Sequence, residues 1–101
     1  MSALRPILKE EQQRLDRLCR QYRAEIGKLP KGSLSEKDRK GRPYVYLAYR
    51  DGGKVVFKYI GAARSAKVAA LREKIQSRKR VESLLKKAQA NLKELKRVLH
   101  E

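Results

Sequence analysis

The side chains best suited to bind a ligand are basic residues and tyrosines in the middle of the chain. Tyr44 and Tyr46 alternate there with apolar residues, and lysines and arginines flank them on both sides. Lysine and arginine contact phosphate groups, whereas a tyrosine ring stacks on a base or packs on a sugar. The pattern predicts nucleic-acid binding, and a strand with a solvated outer face is the simpler alternative. The residues assigned to this site are Lys31, Lys37, Arg39, Lys40, Arg42, Tyr44, Tyr46, Arg50, Lys54 and Lys58.

A second basic cluster, Arg78-Lys79-Arg80, lies in a helix-like part of the sequence. Three consecutive helical residues point in different directions, so at most two of them can meet the same phosphate backbone. The cluster is a candidate for additional phosphate contacts. A solvated helix face explains it equally well, and both interpretations stay open.

The overall charge favours an anionic partner. The chain has 27 basic and 11 acidic residues, for a formal net charge of +16. A compact protein this basic needs a polyanion to offset its self-repulsion, and nucleic acid, DNA or RNA, is the commonest one. An anionic membrane surface is the rival partner, but the sequence lacks a wide apolar helix face with Trp or Phe anchors, so no membrane is expected.

The remaining residue types argue against catalysis. A single cysteine, Cys19, excludes an internal disulfide, and a single histidine, His100, leaves no plausible zinc site. No nucleophile is paired with a base, and no two carboxylates are placed for acid–base chemistry. We therefore expect a non-enzyme without metal or cofactor. No signal peptide and no membrane span is evident, so an intracellular, cytoplasmic location is expected.

The element that must position the candidate site is a small antiparallel β-meander over residues 32–61. Two runs rich in Tyr, Val and Phe alternate with period two on either side of Asp51-Gly52-Gly53, which is strong hairpin punctuation. A weaker strand from Ser33 to Lys37 precedes them and connects through residues 38–41.

The length of the second loop decides which side chains share a face, because a shift of one residue turns a whole strand over. We predict a three-residue loop with Gly53 as the left-handed bulge residue, so that Arg50 pairs with Lys54. The face expected to be buried then carries Val45, Leu47, Tyr49, Val55, Phe57 and Tyr59. The opposite face carries Tyr44, Tyr46, Ala48, Lys54, Val56 and Lys58. A two-residue loop is the alternative, and it would place Lys58 among apolar residues at a desolvation cost unless the lysine snorkels.

Helical patterns flank the meander. Residues 3–27 carry one apolar stripe, and residues 65–100 carry another, with Ser65 as a predicted N-cap. From Val81 to Leu99 the apolar positions follow a heptad spacing, which is sufficient for a two-helix coiled coil. The fold class predicted is therefore α+β: one domain in which a long N-terminal helix, a three-stranded meander and a long C-terminal helix follow one another.

The heptad seam needs a partner helix. Because the meander returns the chain, the two helices are expected to form an antiparallel coiled coil, with Leu4 and Ile7 near Leu95 and Leu99. Pairing of the same seams between chains is the alternative, so the chain could be a monomer or a homodimer.

The segment from Leu29 to Gly61 contains PKGSL, then KGxxYxYLxYR, then GGKV and YIG. In these motifs the chain resembles a family of small uncharacterised prokaryotic and mobile-element proteins. The resemblance implies a fold and no activity. The order of three strands followed by a helix is also similar to the arm-site DNA-binding domains of phage-type integrases, which favours DNA slightly over RNA.

A second functional class stays open beside nucleic-acid binding. The seam could dock on a protein partner, and the positive charge could meet an acidic surface or a ribonucleoprotein. Such a chain would be an adaptor, accessory or inhibitor subunit of a nucleoprotein complex, as phages and mobile elements encode.

Overall fold

The computed structural model describes residues 4–100 and contains two helices and one sheet. The elements in chain order are helix α1 (Leu4–Gly27), strands β1 (Ser33–Arg39), β2 (Arg42–Asp51) and β3 (Lys54–Ala62), and helix α2 (Ala66–Leu99). The sheet is antiparallel with the order β1-β2-β3. This is the predicted α+β order of helix, meander and helix. Ala3, the first residue of the predicted N-terminal helix, lies outside the described residues.

The described residues form two compact units. A helical unit contains residues 4–28 with residues 79–100, and a sheet unit contains residues 29–78, so α2 contributes to both. The expectation of one domain stays a prediction, because two units that share a helix can unfold together or separately. No helix within residues 4–100 is long and apolar enough to span a membrane.

The helical unit is an antiparallel helix pair. Leu15 and Cys19 of α1 and Ala88 of α2 form its buried centre, and further apolar residues of both helices pack on it: Leu18, Tyr22, Leu85, Leu92 and Leu95. Near the ends, Arg5 Nη2 donates a hydrogen bond of 2.7 Å to the Leu99 carbonyl, so the start of α1 meets the end of α2. The heptad seam therefore closes within this chain, as expected, and not between chains.

Leu4 and Ile7 were expected near Leu95 and Leu99. The Arg5 bond to Leu99 does bring the start of α1 to the end of α2, while the side chains of Leu4 and Ile7 are 62% and 58% exposed. The Arg5 guanidinium satisfies a carbonyl that has no partner within the helix.

The core of the sheet unit lies between the sheet and the first turns of α2. Val45, Ile60 and Val68 are buried together, and Leu34, Leu47, Ala63 and Leu71 pack on them. The Val68 amide donates to Ser65 Oγ at 3.3 Å, which confirms Ser65 as the N-cap of α2. Val68 and Leu71, in the first turns of α2, thus belong to the same core as Val45 and Leu47.

Both hairpins use two-residue turns. Gly52 and Gly53 have φ values of 58° and 84°, and Lys40 and Gly41 have values of 54° and 81°. Positive φ at both central residues defines the type I′ turn, whose twist matches that of the flanking strands. The predicted three-residue loop is therefore wrong: Arg50 pairs with Val55, and Lys54 pairs with Asp51.

The two-residue loop turns β3 over relative to the predicted arrangement. Tyr46 now pairs with Tyr59, and Leu47 pairs with Lys58. Val55, Phe57 and Tyr59, which were expected to be buried, are instead 54%, 51% and 54% exposed on the face away from α2. A register shift between Val45 and Tyr46 leaves Ile60 as the extra residue of β3, and Ile60 is buried.

Gly32 gives a first testable prediction, because a Cβ at this position would lie 2.4 Å from the Ala48 carbonyl oxygen. Its φ of 113° is also one that residues with a side chain rarely adopt. Gly32→Ala should lower the free energy of unfolding by at least about 2 kcal/mol. Urea titration followed by circular dichroism measures the loss.

The matched control is Gly27→Ala, where an added Cβ meets nothing within 4 Å. Gly27 is the last residue of α1, so alanine there should leave stability unchanged or raise it. Equal loss in both variants would contradict the packing of Gly32 against β2.

Val45 gives a second prediction, because it is 1% exposed at the centre of the sheet core. Val45→Ala should destabilise the protein by about 1–3 kcal/mol through reduced burial and a residual cavity. Val55→Ala on β3 makes the same chemical change on the exposed face, so its cost should stay below about 0.5 kcal/mol. A larger cost at Val55 would show that the register is not the one described.

Candidate nucleic-acid interface

The sheet surface away from α2 is called here the open face. Its residues follow from the register, because side chains at paired positions of antiparallel strands point to the same side. The residues of the open face that concern function are Lys37, Arg39, Arg42, Tyr44, Tyr46, Arg50, Val55, Phe57 and Tyr59.

Aromatic rings occupy the middle of the open face. Tyr59 lies between two tyrosines of β2, with its ring centroid 6.0 Å from that of Tyr44 and 5.6 Å from that of Tyr46. The rings meet at interplanar angles of 50° and 67°, so neither pair is stacked face to face. Phe57 continues the row along β3, and about half of its surface is exposed. The open face therefore presents aromatic surface to solvent.

Cationic groups lie against these rings. Lys37 Nζ is 4.6 Å from the ring centroid of Phe57 and 5.2 Å from that of Tyr46. The Arg39 guanidinium carbon is 5.7 Å from the Tyr46 centroid. These distances are within the range of cation–π attraction, which holds the basic groups beside the aromatic surface.

The charges of the sheet are separated by face. The basic residues of the open face are Lys37, Arg39, Arg42 and Arg50. Within residues 33–62, all of which are described, the three acidic residues Glu36, Asp38 and Asp51 pair with positions on the opposite face. The open face of the strands consequently carries positive charge with no carboxylate to neutralise it.

A groove lies at the end of the open face beside the first hairpin turn. Its volume is about 540 Å³, and it is lined by Arg39, Lys40, Arg42, Tyr44, Tyr46 and Tyr59. Arg39 and Arg42 are direct cross-strand partners, and like charges in that position repel one another. A smaller concavity of about 280 Å³ shares Arg42 and Tyr44 with the groove and adds Arg64 to its wall. The groove thus combines three cations with three phenol rings.

The structure separates the remaining predicted site residues from the groove. Lys54 and Lys58 were predicted to share a face with Tyr44 and Tyr46, and this is wrong, because the two-residue loop places them on the opposite face. Both are exposed, so Lys58 stays in water beside Leu47 and avoids the desolvation cost. Lys31 is exposed just before β1.

The predicted basic cluster of the second helix is divided between the two units. Arg78 belongs to the sheet unit, where its Nη1 donates to the Leu29 carbonyl at 2.8 Å. Lys79 and Arg80 belong to the helical unit. Because Arg78 holds the backbone at the entry to the sheet unit, the structure gives it a role in the fold.

Some arginines of the helical unit have acidic neighbours, unlike those of the open face. Arg14 pairs with Glu11, and Arg97 pairs with Glu94, each three residues apart on one helix. The hydrogen bond from Arg14 lowers the pKa of the Glu11 carboxyl from its usual value. These exposed pairs are typical of a solvated helix surface.

Sequence reasoning missed Phe57, Tyr59 and Val55 as members of the open face. The signal that could have found them is the dipeptide Gly52-Gly53, since two adjacent glycines between strands favour a two-residue type I′ turn. The three-residue loop was predicted instead because it keeps Lys58 off the buried face. In the structure Lys58 pairs with Leu47 but stays exposed, so no lysine is buried.

The fold and the open face define an α+β protein with a basic, aromatic sheet surface. The chain belongs to the family described as Domain of unknown function (DUF6788), whose model matches residues 8–70. The match includes the whole sheet and therefore the groove. No curated protein and no solved structure matches the chain.

Lys40 allows the backbone geometry of the first hairpin turn to be tested while the change in charge is held constant. Its φ of 54° is costly for most side chains but is favourable for Asn, and Asn-Gly is a preferred type I′ dipeptide. Lys40→Asn should therefore raise the free energy of unfolding by roughly 0.5 kcal/mol. Chemical denaturation measures the change.

Lys40→Ile is the matched control, because it removes the same charge but places a β-branched residue at positive φ. It should lower the free energy of unfolding by about 1 kcal/mol. Equal stability of the two variants would contradict the left-handed geometry of the turn.

Proposed function

We propose that this protein is a non-enzymatic nucleic-acid-binding protein and that the open face is its binding surface. The observation that carries the proposal is the groove in which Arg39, Lys40 and Arg42 lie beside three tyrosine rings. Cations next to aromatic rings match the two chemical parts of a nucleotide, its phosphate and its base or sugar.

The electrostatics of the groove favour an anionic ligand. Arg39 and Arg42 face each other across β1 and β2, and the free protein bears the cost of that repulsion. A phosphate between the two guanidinium groups would convert the repulsion into charge-assisted hydrogen bonds. A binding site explains this pairing better than a solubilising surface does, since solubility requires only that charges be dispersed.

The aromatic rings favour a nucleic acid over other polyanions. Phe57 and Tyr59 each expose about half of their surface in the middle of a basic face. Exposed apolar area of this kind costs free energy in water and often marks an interaction surface. A sulfated or phosphorylated polymer without bases would use the cations and leave the rings uncovered.

The adaptor alternative has less support. It requires the heptad seam to dock on a partner, but the seam residues Leu85, Ala88 and Leu92 pack against α1 of the same chain. A cytoplasmic location, where nucleic acid is accessible and the buried thiol of Cys19 stays reduced, is part of the proposal.

The test is a comparison of two double variants that remove equal charge from opposite faces of the sheet. Arg39→Gln with Arg42→Gln alters the groove, whereas Lys54→Gln with Lys58→Gln alters the other face. Fluorescence anisotropy at several salt concentrations measures the affinity for duplex DNA, single-stranded DNA, structured RNA and heparin. The arginine variant should bind nucleic acid more weakly, with a salt slope lower by about 0.7–0.9 for each phosphate that it no longer neutralises. The lysine variant should keep most of the affinity and most of the slope.

Two outcomes would overturn the proposal. Equal losses in both double variants, with heparin bound as tightly as nucleic acid, would describe a generic polycation. Absence of binding to every nucleic acid at low salt would remove the function altogether.

A further inference from the structure

We infer that the open face binds unpaired nucleotides, with bases stacked on Phe57 and Tyr59 and phosphates held by the surrounding cations. This inference rests on the proposed function and specifies the class of nucleic acid. It concerns residues that the sequence pattern had assigned to the core.

The first reason to infer unpaired nucleotides is the solvent exposure of two aromatic side chains. Phe57 and Tyr59 lie on an edge strand and expose about half of their surface. Tyr59 contacts Tyr44 and Tyr46 at steep interplanar angles, so neither tyrosine is stacked face to face on its ring. A ring binds a base through the base's own π-face, and in a duplex the neighbouring base pairs cover that face. Stacking on these rings therefore requires a base that is not within a helix.

The spacing of the rings is the second reason. Phe57 and Tyr59 are two residues apart on one strand, which corresponds to roughly 6.8 Å along the sheet. Successive bases in a stacked strand are only about 3.4 Å apart. One base can occupy each ring only if the nucleotides are unstacked, as a flexible single strand allows and a duplex does not.

Lys37 lies where it can contact both a phosphate and the aromatic surface of such a site. Its ammonium lies over the Phe57 ring in the free protein, where it takes the position that a base would occupy. A phosphate of the bound strand would attract the ammonium away from the ring, because a charge-assisted hydrogen bond is stronger than an exposed cation–π contact. The base would then replace the lysine on the ring.

The charge of the open face argues against a second copy of this chain as its occupant. Two such faces in contact would place Lys37, Arg39, Arg42 and Arg50 opposite their own copies. Within residues 33–62, which are described throughout, the open face has no acidic side chain to pair with them. A single-stranded nucleic acid supplies the missing negative charge and the flat apolar surface together.

The experiment compares single strands with a duplex of equal length. The probes are oligothymidylate and oligouridylate of about 12 nucleotides and a blunt duplex of mixed sequence, at about 0.15 M salt. Anisotropy should show tighter binding to both single strands than to the duplex, and the difference between the DNA and RNA probes reports any contact with the 2′-hydroxyl.

Ring-removing and ring-keeping variants assign the effect to stacking. Phe57→Val and Tyr59→Val keep strand-forming residues but remove the rings, and each should weaken single-strand binding by about 5- to 100-fold. Phe57→Tyr and Tyr59→Phe retain the rings and should bind nearly as well as the original protein. Because both positions are half-exposed, the unfolding midpoint should change little in Phe57→Val and in the two ring-keeping variants. Tyr59→Val also loses the ring contacts with Tyr44 and Tyr46, so a lower midpoint is expected there, and its binding is measured well below that midpoint.

Tyrosine fluorescence of the unaltered protein provides an independent measurement. The chain has five tyrosines and no tryptophan, so tyrosine emission is observed directly. Stacking of a base on Tyr59 should quench part of it, and Tyr59→Val should lose that part of the response.

The outcomes separate this inference from the proposed function. Equal or tighter binding to the duplex, with Phe57→Val and Tyr59→Val unchanged, would overturn the inference and leave nucleic-acid binding in place. Binding to none of the three probes would overturn both. The inference is supported if the protein prefers single strands and if the two valine variants bind them more weakly while Phe57→Tyr and Tyr59→Phe do not.

Discussion

The structure depends on the backbone conformation of Gly52 and Gly53. Both residues have positive φ, so the chain reverses in two residues, and the pairing of β2 with β3 is fixed from that point. A third residue in the loop would turn β3 over and exchange its two sets of side chains. The position of Phe57 and Tyr59 beside the tyrosines of β2, and the position of Lys58 beside Leu47, are consequences of this one turn. The free energy that holds the turn comes from elsewhere, since Val45, Ile60 and Val68 are buried together in this register.

The same turn explains an arrangement that is costly for the free protein. Three large apolar side chains of β3 are exposed, and four basic residues share their face without a carboxylate. Burial of apolar area is the main force that stabilises small proteins, so a sheet unit of 50 residues loses part of its stability by this arrangement. Local conflicts of this type are typical of functional surfaces. The open face therefore contributes less to the fold than its composition allows, and binding of an anionic aromatic ligand would recover that free energy.

The two units differ in the physics that defines them. In the helical unit, a stripe of leucines with Cys19 and Ala88 at its centre determines the pairing, and charged residues such as Arg14 and Glu11 neutralise one another on its surface. In the sheet unit, the small core covers one face and the other face keeps its charge. Both units carry a net positive charge, and in the sheet unit part of that charge lies on one face, where Arg39, Lys40 and Arg42 line the groove.

The order and type of the helices and strands were predictable from the amino-acid sequence. Helical periodicity located both helices, Ser65 marked the start of the second one, and the seam from Val81 to Leu99 predicted a helix partner. Basic residues next to Tyr44 and Tyr46 indicated a candidate surface. These features are local, because a side chain's type and its period along the chain are visible without knowledge of the fold.

The pairing of the strands and the closure of the seam within the chain could be established only from the packed structure. The choice between a two-residue and a three-residue loop depended on two opposing free energies. One is the desolvation cost of Lys58 on the buried face, and the other is the ease with which two glycines form a type I′ turn. Lys58 is exposed in the structure, so the desolvation cost is absent, but this exposure is a property of the packed molecule. Leu4 and Ile7 stay more than half exposed, because the periodicity of a helix shows which residues are apolar but not how much of each its partner covers. Register and contact between distant segments are properties of the packed molecule, and for this reason the members of the open face could be identified only from the fold.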